Sequence, residues 1–516
     1  MLLTGADLRA QPPWRFACRG LGVKRRTFCA AGLAALTASA VPYRRLLAAS
    51  AGAEVPVLGL DGRQLTLKPA DIDELRSGLR GELLTADQAG YDAARRLWNP
   101  VFDRRPALIV RCAGAVDVRR AVSFAAAHEL LTAVHAGGHS FSGQSGCDGG
   151  LMIDVSPMRA VQVDPIARTA RVESGALLGH FDREAQAFGL ATPSGVVADT
   201  GVAGLTLGGG IGRLGRRFGL TCDNLTAVEL VTADDRWLRA SAQENPDLLW
   251  GLRGGGGNFG VVTSFTYRLH EVGPQVFGGT LTYPFAGARQ LLRSFADFIA
   301  AAPDELYVAV DFNTGEHGAR QLEFDVTYSG PLKDAERVIA PLRQLGKPLK
   351  DELAPASYVT LQGSATTPGV SSRAFYLKAG LVESLAPALS DTAIGFIENN
   401  PSDSFHIGID PVGGAISRVQ PEDTAYWNRG ASHNLYVFGT WKVPGEGAER
   451  NMEWVRRAWV QLEPLTRGHY VNIAGSDPRD SRAQAAYGDN YARLTKLKKR
   501  YDPVNLFRLN ANIQPA

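Results

Sequence analysis

The stretch VHAGGHSFSGQSGCDGGLMIDVS, Val134–Ser156, places six glycines around His139. Apolar residues precede the glycines and LMIDVS follows them, so the pattern predicts a glycine-rich loop between two strands. Glycine lets the backbone approach a ligand closely and lets main-chain N–H groups point at an anionic group. The stretch therefore predicts a binding loop that presents one imidazole.

Two further glycine clusters follow, SGVVADTGVAGLTLGGGIGRLGRRFG (Ser194–Gly219) and RGGGGNFGVVTSFTYRL (Arg253–Leu269). Ordinary tight turns explain one such cluster well and three poorly, so the set indicates a long anionic ligand laid along bare backbone. The second cluster also contains a GxGxxG match at Gly210–Gly215. Glycines interrupt the segment before this match and no amphipathic helix follows it, which disfavours a nicotinamide-type dinucleotide fold.

Composition describes a soluble globular protein of 516 residues, 45% hydrophobic and 21% charged, for which two domains are expected. The formal charge of +3 is misleading, because eight of the 55 Lys and Arg lie in residues 1–53 with only one acidic residue. The remainder holds 47 basic and 51 acidic side chains and is mildly acidic. This balance excludes a nucleic-acid-binding surface from our expectations.

The first 53 residues have the pattern of a twin-arginine-type export signal. KRRTF (Lys24–Phe28) precedes the weakly apolar run CAAGLAALTASAV (Cys29–Val41), which is too short to span a bilayer. A disordered basic tail is the alternative, and the adjoining apolar run disfavours it. We expect export to the periplasm or medium, cleavage after Ala38–Ala40 or nearer Ala49–Ala53, and no stable membrane insertion afterwards.

Strand and helix patterns alternate before the first cluster and change character after it. Ala107–Cys112 and Thr132–Ala136 are predicted strands, with a helix between them that Asp117 would cap. From about Glu271 onwards, alternating strands predict an antiparallel sheet with one face covered by helices. Three cysteines lie beyond the signal without CxxC spacing, so buried thiols are expected at Cys112, Cys147 and Cys222.

Several motifs in consistent order resemble the berberine bridge enzyme-like FAD-linked oxidases, of the vanillyl-alcohol oxidase type with a PCMH-type FAD-binding domain. They are GGHSF, GLMIDVS, the second and third glycine clusters, and YDPVNLFRLNANI at the end, and the similarity covers roughly residues 80–516. Beyond the signal expected at 1–53, the resemblance implies an α+β fold with a FAD-binding domain at 54–270, a substrate-binding domain at 271–465, and a C-terminal segment at 466–516 that returns to the FAD domain.

The resemblance also implies that His139 is joined covalently to the flavin. A neutral imidazole is a nucleophile, and the neighbouring glycines admit a flat ring against the backbone. Many relatives carry a second linking cysteine where this chain has Val197, so a single covalent bond is expected. Four residues before His139 the family often has Arg and this chain has His135, for which a cofactor contact and plain packing are both open.

Further cofactor contacts are expected along the three clusters and the C-terminal segment. They are Ala136, Gly137, Gly138, Ser140, Gly143, Gln144, Thr200, Gly201, Gly204, Gly208, Gly209, Gly210, Gly212, Asn224, Gly260, Val261, Val262, Asn510 and Asn512. No sequence pattern suggests a metal ligand set.

On the substrate side, HYVNIAG (His469–Gly475) matches the Y-x-N segment that supplies the catalytic tyrosine in sugar- and alcohol-oxidising relatives, which indicates Tyr470. IDPVGG (Ile409–Gly414) resembles the strand that holds an aspartate against that tyrosine, so Asp410 is expected to accept its hydrogen bond. Asn472 is expected to orient the site. Strand packing for the tyrosine and a turn role for the aspartate are the structural alternatives.

The sequence thus predicts an exported FAD-dependent oxidase. It would transfer hydride from a substrate C–H, first of all the CH–OH of a sugar or other alcohol, to the flavin as Tyr470 removes a proton, and O2 would be reduced to hydrogen peroxide. Its partners would be a small-molecule substrate and O2, while the oligomeric state is left open. The alternatives are an amine oxidase or a ring-closing or desaturating oxidase of secondary metabolites, a flavin-binding redox carrier without turnover, and a NAD-dependent dehydrogenase.

Overall fold

The glycine-rich loop around His139 connects two parallel neighbouring strands, β5 (Thr132–His135) and β6 (Leu151–Asp154). The structure is a computed structural model that describes residues 54–314, 319–364, 373–399, 405–443, 445, 447–473 and 483–516. The predicted export signal at 1–53 lies outside these residues. Within the described residues, 55–516 form one compact unit, and the proposed boundaries near 270 and 465 stay predictions.

The described strands, in chain order, are β1 Val55–Leu58, β2 Gln64–Leu67, β3 Glu82–Leu84, β4 Leu108–Arg111, β5 and β6 as above, β7 Val161–Asp164, β8 Thr169–Glu173, β9 Leu190–Ala191, β10 Leu225–Val231, β11 Trp237–Ser241, β12 Val261–Arg268, β13 His270–Glu271, β14 Gln275–Pro284, β15 Leu306–Thr314, β16 Arg320–Tyr328, β17 Lys350–Asp351, β18 Ala354–Ser357, β19 Arg373–Val382, β20 Phe405–Pro411 and β21 His433–Lys442.

The described α-helices are α1 Pro69–Ser77, α2 Tyr91–Ala94, α3 Ala115–Ala127, α4 Leu178–Gln186, α5 Val202–Leu207, α6 Gly215–Phe218, α7 Pro246–Leu252, α8 Ala288–Ala301, α9 Leu332–Arg343, α10 Tyr358–Gly363, α11 Pro387–Glu398, α12 Ala415–Arg418, α13 Ala448–Leu462, α14 Ala483–Tyr487 and α15 Tyr491–Tyr501. Among the described residues, no helix combines the length and apolar character needed to cross a membrane.

Two sheets carry the first half of the described chain. One has the order β3-β4-β6-β5, with β4, β6 and β5 parallel, and the other is antiparallel with the order β11-β10-β12-β8-β7. The parallel strands are buried because helix α3 packs on their sheet through Val118, Ala121 and Val122, all fully buried. Parallel neighbours need a crossover connection, and here the glycine-rich loop supplies it between β5 and β6.

An eight-stranded sheet carries the second half, with the order β17-β14-β16-β15-β20-β21-β19 and β18 also paired to β14. All its pairings are antiparallel, as the alternating sequence pattern predicts. Alternate residues such as Val308, Ile407 and Val437 are buried under the helices of this half, including α8 and α13. The intervening residues therefore point to the opposite face of the sheet. The α+β class is confirmed.

One local prediction is wrong. Helix α3 begins at Ala115 with Gly114 as its N-cap, so Asp117 does not cap it. The Asp117 carboxylate instead accepts backbone N–H groups from Arg80, Gly81 and Ala113 at 2.8–2.9 Å. A long-range contact that satisfies three N–H groups has replaced the local cap, and it fixes the loop that leads into the helix. Cys112, Cys147 and Cys222 are free and buried, as predicted.

Candidate functional site

A cavity of about 250 Å³ lies where the three glycine clusters and the C-terminal segment meet. Most of the residues that the sequence suggests for the cofactor line it: Ala136, Gly137, Gly138, His139, Ser140, Gln144, Thr200, Gly201, Gly204, Gly260, Val261, Val262 and Asn510. Asn472 from the predicted catalytic segment lines it as well. Segments separated by more than 300 residues in sequence thus share one wall.

At two places, the Gly137–Gly201 contact and Gly204, the cavity wall is formed by backbone and not by side chains. A Cβ added to Gly201 would lie 2.7 Å from the backbone nitrogen of Gly137, so the first two clusters touch only because both residues are glycine. Gly204, in helix α5, is exposed, and a Cβ added there would meet no protein atom within 4 Å. Its missing side chain leaves room for a ligand instead of for another part of the protein.

The His139 ring lies at the cavity wall in a nearly dry environment. Its face stacks on Trp98, with ring centroids 4.2 Å apart. The Nε2 atom is buried and has no hydrogen-bond partner among the described residues, and its nearest acidic atom is Asp199 Oδ1 at 4.0 Å, which also lacks a partner. Burial lowers the pKa of His139 to about 4, so the imidazole is neutral at physiological pH.

The C-terminal segment is held against the first and third glycine clusters. The Gln144 side chain donates to the Asn510 carbonyl at 3.1 Å, and the Asn510 amide donates to the Gly257 carbonyl at 3.3 Å. The Oδ1 atom of Asn510 is buried without a partner. Behind it, the fully buried Lys498 pairs with Asp502 at 2.7 Å and anchors the segment to helix α15.

His135 points away from the cavity. Its Nδ1 atom lies 3.2 Å from Asp154 Oδ1, on the parallel strand that pairs with its own, and the residue is 8% exposed. The carboxylate of Asp154 also meets Arg111 at 3.2 Å. Of the two roles left open by the sequence, the geometry favours packing and hydrogen bonding beneath the loop over direct contact with a ligand.

Tyr470 lies behind Asn472, one layer from the cavity. Its hydroxyl oxygen accepts three N–H groups, from the Gly210 backbone at 2.9 Å, the Ile211 backbone at 3.2 Å and the Asn472 amide at 2.8 Å. The Asn472 amide also donates to the Leu205 carbonyl at 2.8 Å, which fixes its orientation. Burial raises the pKa of Tyr470 to about 12, although the three donors act in the opposite direction.

The expected hydrogen bond between Asp410 and Tyr470 is not formed. The described hydrogen bonds of the Tyr470 hydroxyl are those to Gly210, Ile211 and Asn472, and Asp410 takes part in none of them. Asp410 instead lies on the eight-stranded sheet, where Asp311 and burial raise its pKa to about 7. The backbone N–H groups of Gly210 and Ile211 contact the Tyr470 oxygen, where the sequence predicted the Asp410 carboxylate.

Several expected cofactor contacts do not line the cavity: Gly143, Gly208, Gly209, Gly210, Gly212, Asn224 and Asn512. Close packing explains the glycines. Gly143 lies against Phe102, Gly209 against Tyr426, and a Cβ on Gly208 would strike Asn472. The Asn224 side-chain amide donates to the carbonyls of Phe218 and Leu220, and its Oδ1 atom lies 2.7 Å from His270 Nε2. These contacts close a turn.

Sequence reasoning missed the apolar and hydroxyl-bearing part of the wall. The missed lining residues are Thr132, Val134, Ser142, Ser145, Val155, Ser174, Ala203, Leu205, Leu207, Gly256, Gly257, Val471, Tyr487, Phe507, Leu509 and Ala511. Gly256 and Gly257 could have been predicted as lining residues, because they belong to the third glycine cluster. For the others, only the three-dimensional arrangement shows that they face a cavity.

Comparison with known proteins agrees with this geometry. A family model described as a FAD binding domain matches residues 106–241, and one described as berberine and berberine like matches residues 469–514. The (R)-6-hydroxynicotine oxidase of Paenarthrobacter nicotinovorans is 30% identical over 449 residues, which are 85% of this chain and 97% of that protein. The chain belongs to the berberine bridge enzyme-like FAD-linked oxidoreductases.

Other members extend the comparison. The xylooligosaccharide oxidase of Thermothelomyces thermophilus is 29% identical over 484 residues, 87% of this chain and 95% of that protein. The crystal structure of 6-hydroxy-D-nicotine oxidase from Arthrobacter nicotinovorans matches with a TM-score of 0.78 at 30% identity, covering 85% of this chain and 98% of that one. This berberine bridge enzyme-like protein is therefore a FAD-linked oxidoreductase, which excludes the NAD-dependent dehydrogenase.

The residues at the cavity fit FAD. Glycines that contribute no side chain form a cradle, and Gly204 and Gly257 would each direct a Cβ into open space. Buried polar atoms without partners, His139 Nε2 and Asn510 Oδ1, belong to residues that line the same cavity. Orphaned polar atoms are costly in a protein interior, so these two are consistent with a polar cofactor that satisfies them.

Proposed function

We propose that this FAD-linked oxidoreductase is an oxidase of a CH–OH donor whose flavin is held by one covalent bond, to His139. FAD, when bound, supplies the acceptor for the substrate's hydride and passes the electrons to O2, which is released as hydrogen peroxide. The observation that carries the proposal is the buried, unpartnered Nε2 of His139 at the wall of the glycine-lined cavity.

His139 has the properties of a covalent tether. Its lowered pKa keeps one ring nitrogen unprotonated, and a neutral imidazole has the lone pair that bond formation needs. Stacking on Trp98 restricts the plane of the ring. A ring that is neutral, fixed in orientation and free of hydrogen bonds at Nε2 loses nothing when that atom forms a bond.

Among the described residues that line the cavity, none carries a thiol that could form a second tether. Val197 stands at the position where relatives have the linking cysteine, and valine cannot form a thioether. Cys112, Cys147 and Cys222 are buried elsewhere, and none lines the cavity. We therefore propose that His139 is the single point of attachment.

Tyr470 is the proposed acceptor of the substrate's proton. Three N–H donors around its oxygen stabilise the phenolate, which accepts the proton as the hydride leaves the neighbouring carbon. Because Asn472 lines the cavity and donates to Tyr470, it connects the reacting space to the phenol. The backbone donors of Gly210 and Ile211 take over the assisting role that the sequence assigned to Asp410.

A CH–N donor is the second candidate. The relative at 30% identity is named for a nicotine derivative and the one at 29% for an oligosaccharide, so identity does not separate the two donor types. Carboxylates on the eight-stranded sheet favour a nitrogen-containing substrate, as developed below. Peroxide release from a panel of sugars, alcohols and amines compares the two directly.

Acid precipitation tests the flavin attachment. In the wild-type protein we expect the flavin absorbance to remain with the denatured pellet, and in His139→Ala we expect it to pass into the supernatant. His128→Ala, on helix-flanking residue His128 outside the cavity, is the matched control and should retain the flavin. Acid-stable flavin in the His139→Ala protein would refute the single tether, and a wild-type protein that bleaches with no donor would favour a redox carrier.

Export through a twin-arginine route is part of the proposal and rests on residues 1–53 alone. A covalently loaded flavoprotein has to fold around its cofactor before it crosses a membrane, which suits a pathway for folded proteins. N-terminal sequencing of secreted material should show cleavage between Ala38 and Ala53. Replacement of Arg25 and Arg26 by lysine should retain the protein in the cell, and unchanged secretion would contradict this route.

A further inference from the structure

Polar side chains gather on the face of the eight-stranded sheet that lies opposite its helices. The register places Asp311 opposite Gly408, Gly408 opposite Tyr436, and Asp410 opposite Asn434. Directly opposed residues of an antiparallel pair project to the same side of the sheet. We call this group the acidic sheet face; it consists of Asp311, Asp325, His406, Asp410, Asn434, Tyr436 and Phe438.

The acidic sheet face carries more negative than positive charge. Asp325 pairs with the buried Arg213 at 2.6 Å, and Asp311 meets His406 Nε2 at 2.6 Å. The Asp410 carboxylate forms no hydrogen bond or ion pair with the described residues, and burial together with Asp311 raises its pKa. A carboxylate in this position gains most from a cation that arrives with the substrate.

The face is recessed and still reaches water. The side chains of Asp311, His406 and Asp325 are 20–25% exposed. Asn434, opposite Asp410, is fully buried, and neither its Nδ2 nor its Oδ1 atom has a hydrogen-bond partner among the described residues. An amide buried with both polar atoms unpaired is costly, and it points to a polar ligand group that completes it.

Aromatic rings border the carboxylates. His406 and Phe438 are parallel with ring centroids 4.4 Å apart, and Tyr436 and Phe438 are parallel at 6.0 Å. The faces of aromatic rings attract cations. Carboxylates beside aromatic rings therefore suit an organic cation, and among the described residues no group of His, Cys, Asp or Glu is arranged to hold a metal ion.

A line of ring contacts joins this face to the flavin tether. Phe438 meets Phe375 at 5.8 Å, Phe375 stacks on Trp98 at 4.6 Å, and Trp98 stacks on His139 at 4.2 Å. In addition, Arg213 belongs to the second glycine cluster and binds Asp325 of the sheet. The acidic sheet face thus adjoins the site where the proposed oxidation takes place.

We propose that the acidic sheet face binds a protonated amine of the substrate, with Asp410 as the pairing carboxylate and Asn434 as its hydrogen-bonding neighbour. The substrate class is a small organic ammonium ion, whether the oxidised bond is the CH–N of that amine or a CH–OH of the same molecule. For a CH–N bond the ammonium group first passes one proton to the Asp410 carboxylate, because hydride leaves only from a carbon whose nitrogen carries a lone pair. The inference rests on the proposed oxidase function, because it assigns the substrate of that site.

The test compares cationic and neutral probes of matched shape on the holoenzyme. Benzylamine is compared with benzyl alcohol, and glucosamine with glucose, by anaerobic titration of the flavin absorbance. We expect each amine to bind at least about tenfold more tightly than its neutral partner in the wild type. Asp410→Asn should bring the two constants close together, and Asp311→Asn should reduce the preference in the same direction.

Glu352→Gln is the matched control. It removes one negative charge from an exposed residue beside the strands at the far edge of the same sheet, and the preference for the amine should persist. Equal affinity for amine and alcohol in the wild type overturns the proposal, and so does a spectrum that none of the four probes changes. A loss of kcat in Asp410→Asn that is equal for both donor types, with unchanged affinities, would make Asp410 a positioning residue for Tyr470 and overturn it too.

Failure of the proposed function has a separate signature, which is the absence of acid-stable flavin in the wild type. Tryptophan fluorescence then replaces flavin absorbance, since Trp98 adjoins the aromatic side of the face. Quenching by benzylamine that exceeds quenching by benzyl alcohol, and that is lost in Asp410→Asn, would support the cation site even then. Equal quenching by the two probes would overturn it.

Discussion

Replacing Gly204 by alanine should raise the stability of the flavin-free protein and lower its affinity for the cofactor. Gly204 lies within helix α5, and an added Cβ would meet no protein atom within 4 Å. Alanine in a helix is more favourable than glycine by roughly 0.5–1 kcal/mol, because it loses less backbone entropy on folding. Gly204→Ala should therefore stabilise the flavin-free protein by about this amount.

The same methyl group projects into the space that we assign to FAD. Overpacking a well-filled site costs about 1–3 kcal/mol, which corresponds to roughly 5- to 150-fold weaker binding. We expect Gly204→Ala to be purified with less flavin per chain than the wild type. The two effects have opposite signs, and a general disturbance of folding cannot produce that combination.

Gly395→Ala is the matched control for this prediction. Gly395 lies within helix α11, has no protein atom within 4 Å of an added Cβ, and does not line the cavity. The assay measures the ratio of flavin to protein absorbance, and urea unfolding of flavin-free protein made in a His139→Ala background. Normal flavin content in Gly204→Ala would refute our placement of the cofactor, and a destabilised flavin-free protein would refute the open space at this position.

Three other predictions concern charge. Tyr470→Phe should lower the rate of flavin reduction by about 10²- to 10⁴-fold with flavin content unchanged. Because burial raises the pKa of Tyr470 to about 12, the wild-type rate of flavin reduction should rise from pH 7 to pH 9. A rate that does not change with pH would contradict a phenolate base. Asp410 has a folded pKa of about 7, above its ordinary value of 3.8, so its contribution to stability is lost as pH rises through 7. Asp410→Asn should accordingly be more stable than the wild type at pH 8, by about 1–3 kcal/mol once its contact with water is allowed for, and nearly equal at pH 4 in thermal unfolding. Lys498→Met leaves Asp502 buried without its cation and should cost about 3–5 kcal/mol in urea unfolding, whereas Lys496→Met at an exposed position should change little.

The sequence identified most of the glycines on the cavity wall because glycine has a local, physical reason for its position. Gly137 and Gly201 touch through their backbones, and clusters of glycine at three places in a chain are rare unless such approaches are required. The same argument wrongly predicted cofactor contacts at Gly143 and Gly212. These positions are glycine because other parts of the protein pack closely against them. A glycine that makes room for a ligand and one that makes room for a neighbour look alike in one dimension.

The hydrogen-bond partners of Tyr470, the proposed base, were beyond the reach of the sequence. The family resemblance of HYVNIAG indicated Tyr470 and Asn472, which are two positions apart and whose side chains meet directly. The other donors come from Gly210 and Ile211, some 260 positions earlier, and a backbone N–H has no residue type by which it could be recognised. Asp410 was assigned to the wrong neighbour because its surroundings depend on the register of three strands.

By itself, the sequence indicated the α+β class and the candidate nucleophile His139 through its family resemblance, and it determined the antiparallel second sheet and the glycine-built part of the cavity wall. The last two follow from local periodicity and from the backbone freedom of glycine, both of which are written residue by residue. Only the tertiary structure decided which polar atoms are left without partners, which carboxylates share a face, and which donors surround Tyr470. Burial and long-range pairing set those properties, and both arise from segments that are distant in sequence and meet only in the folded chain.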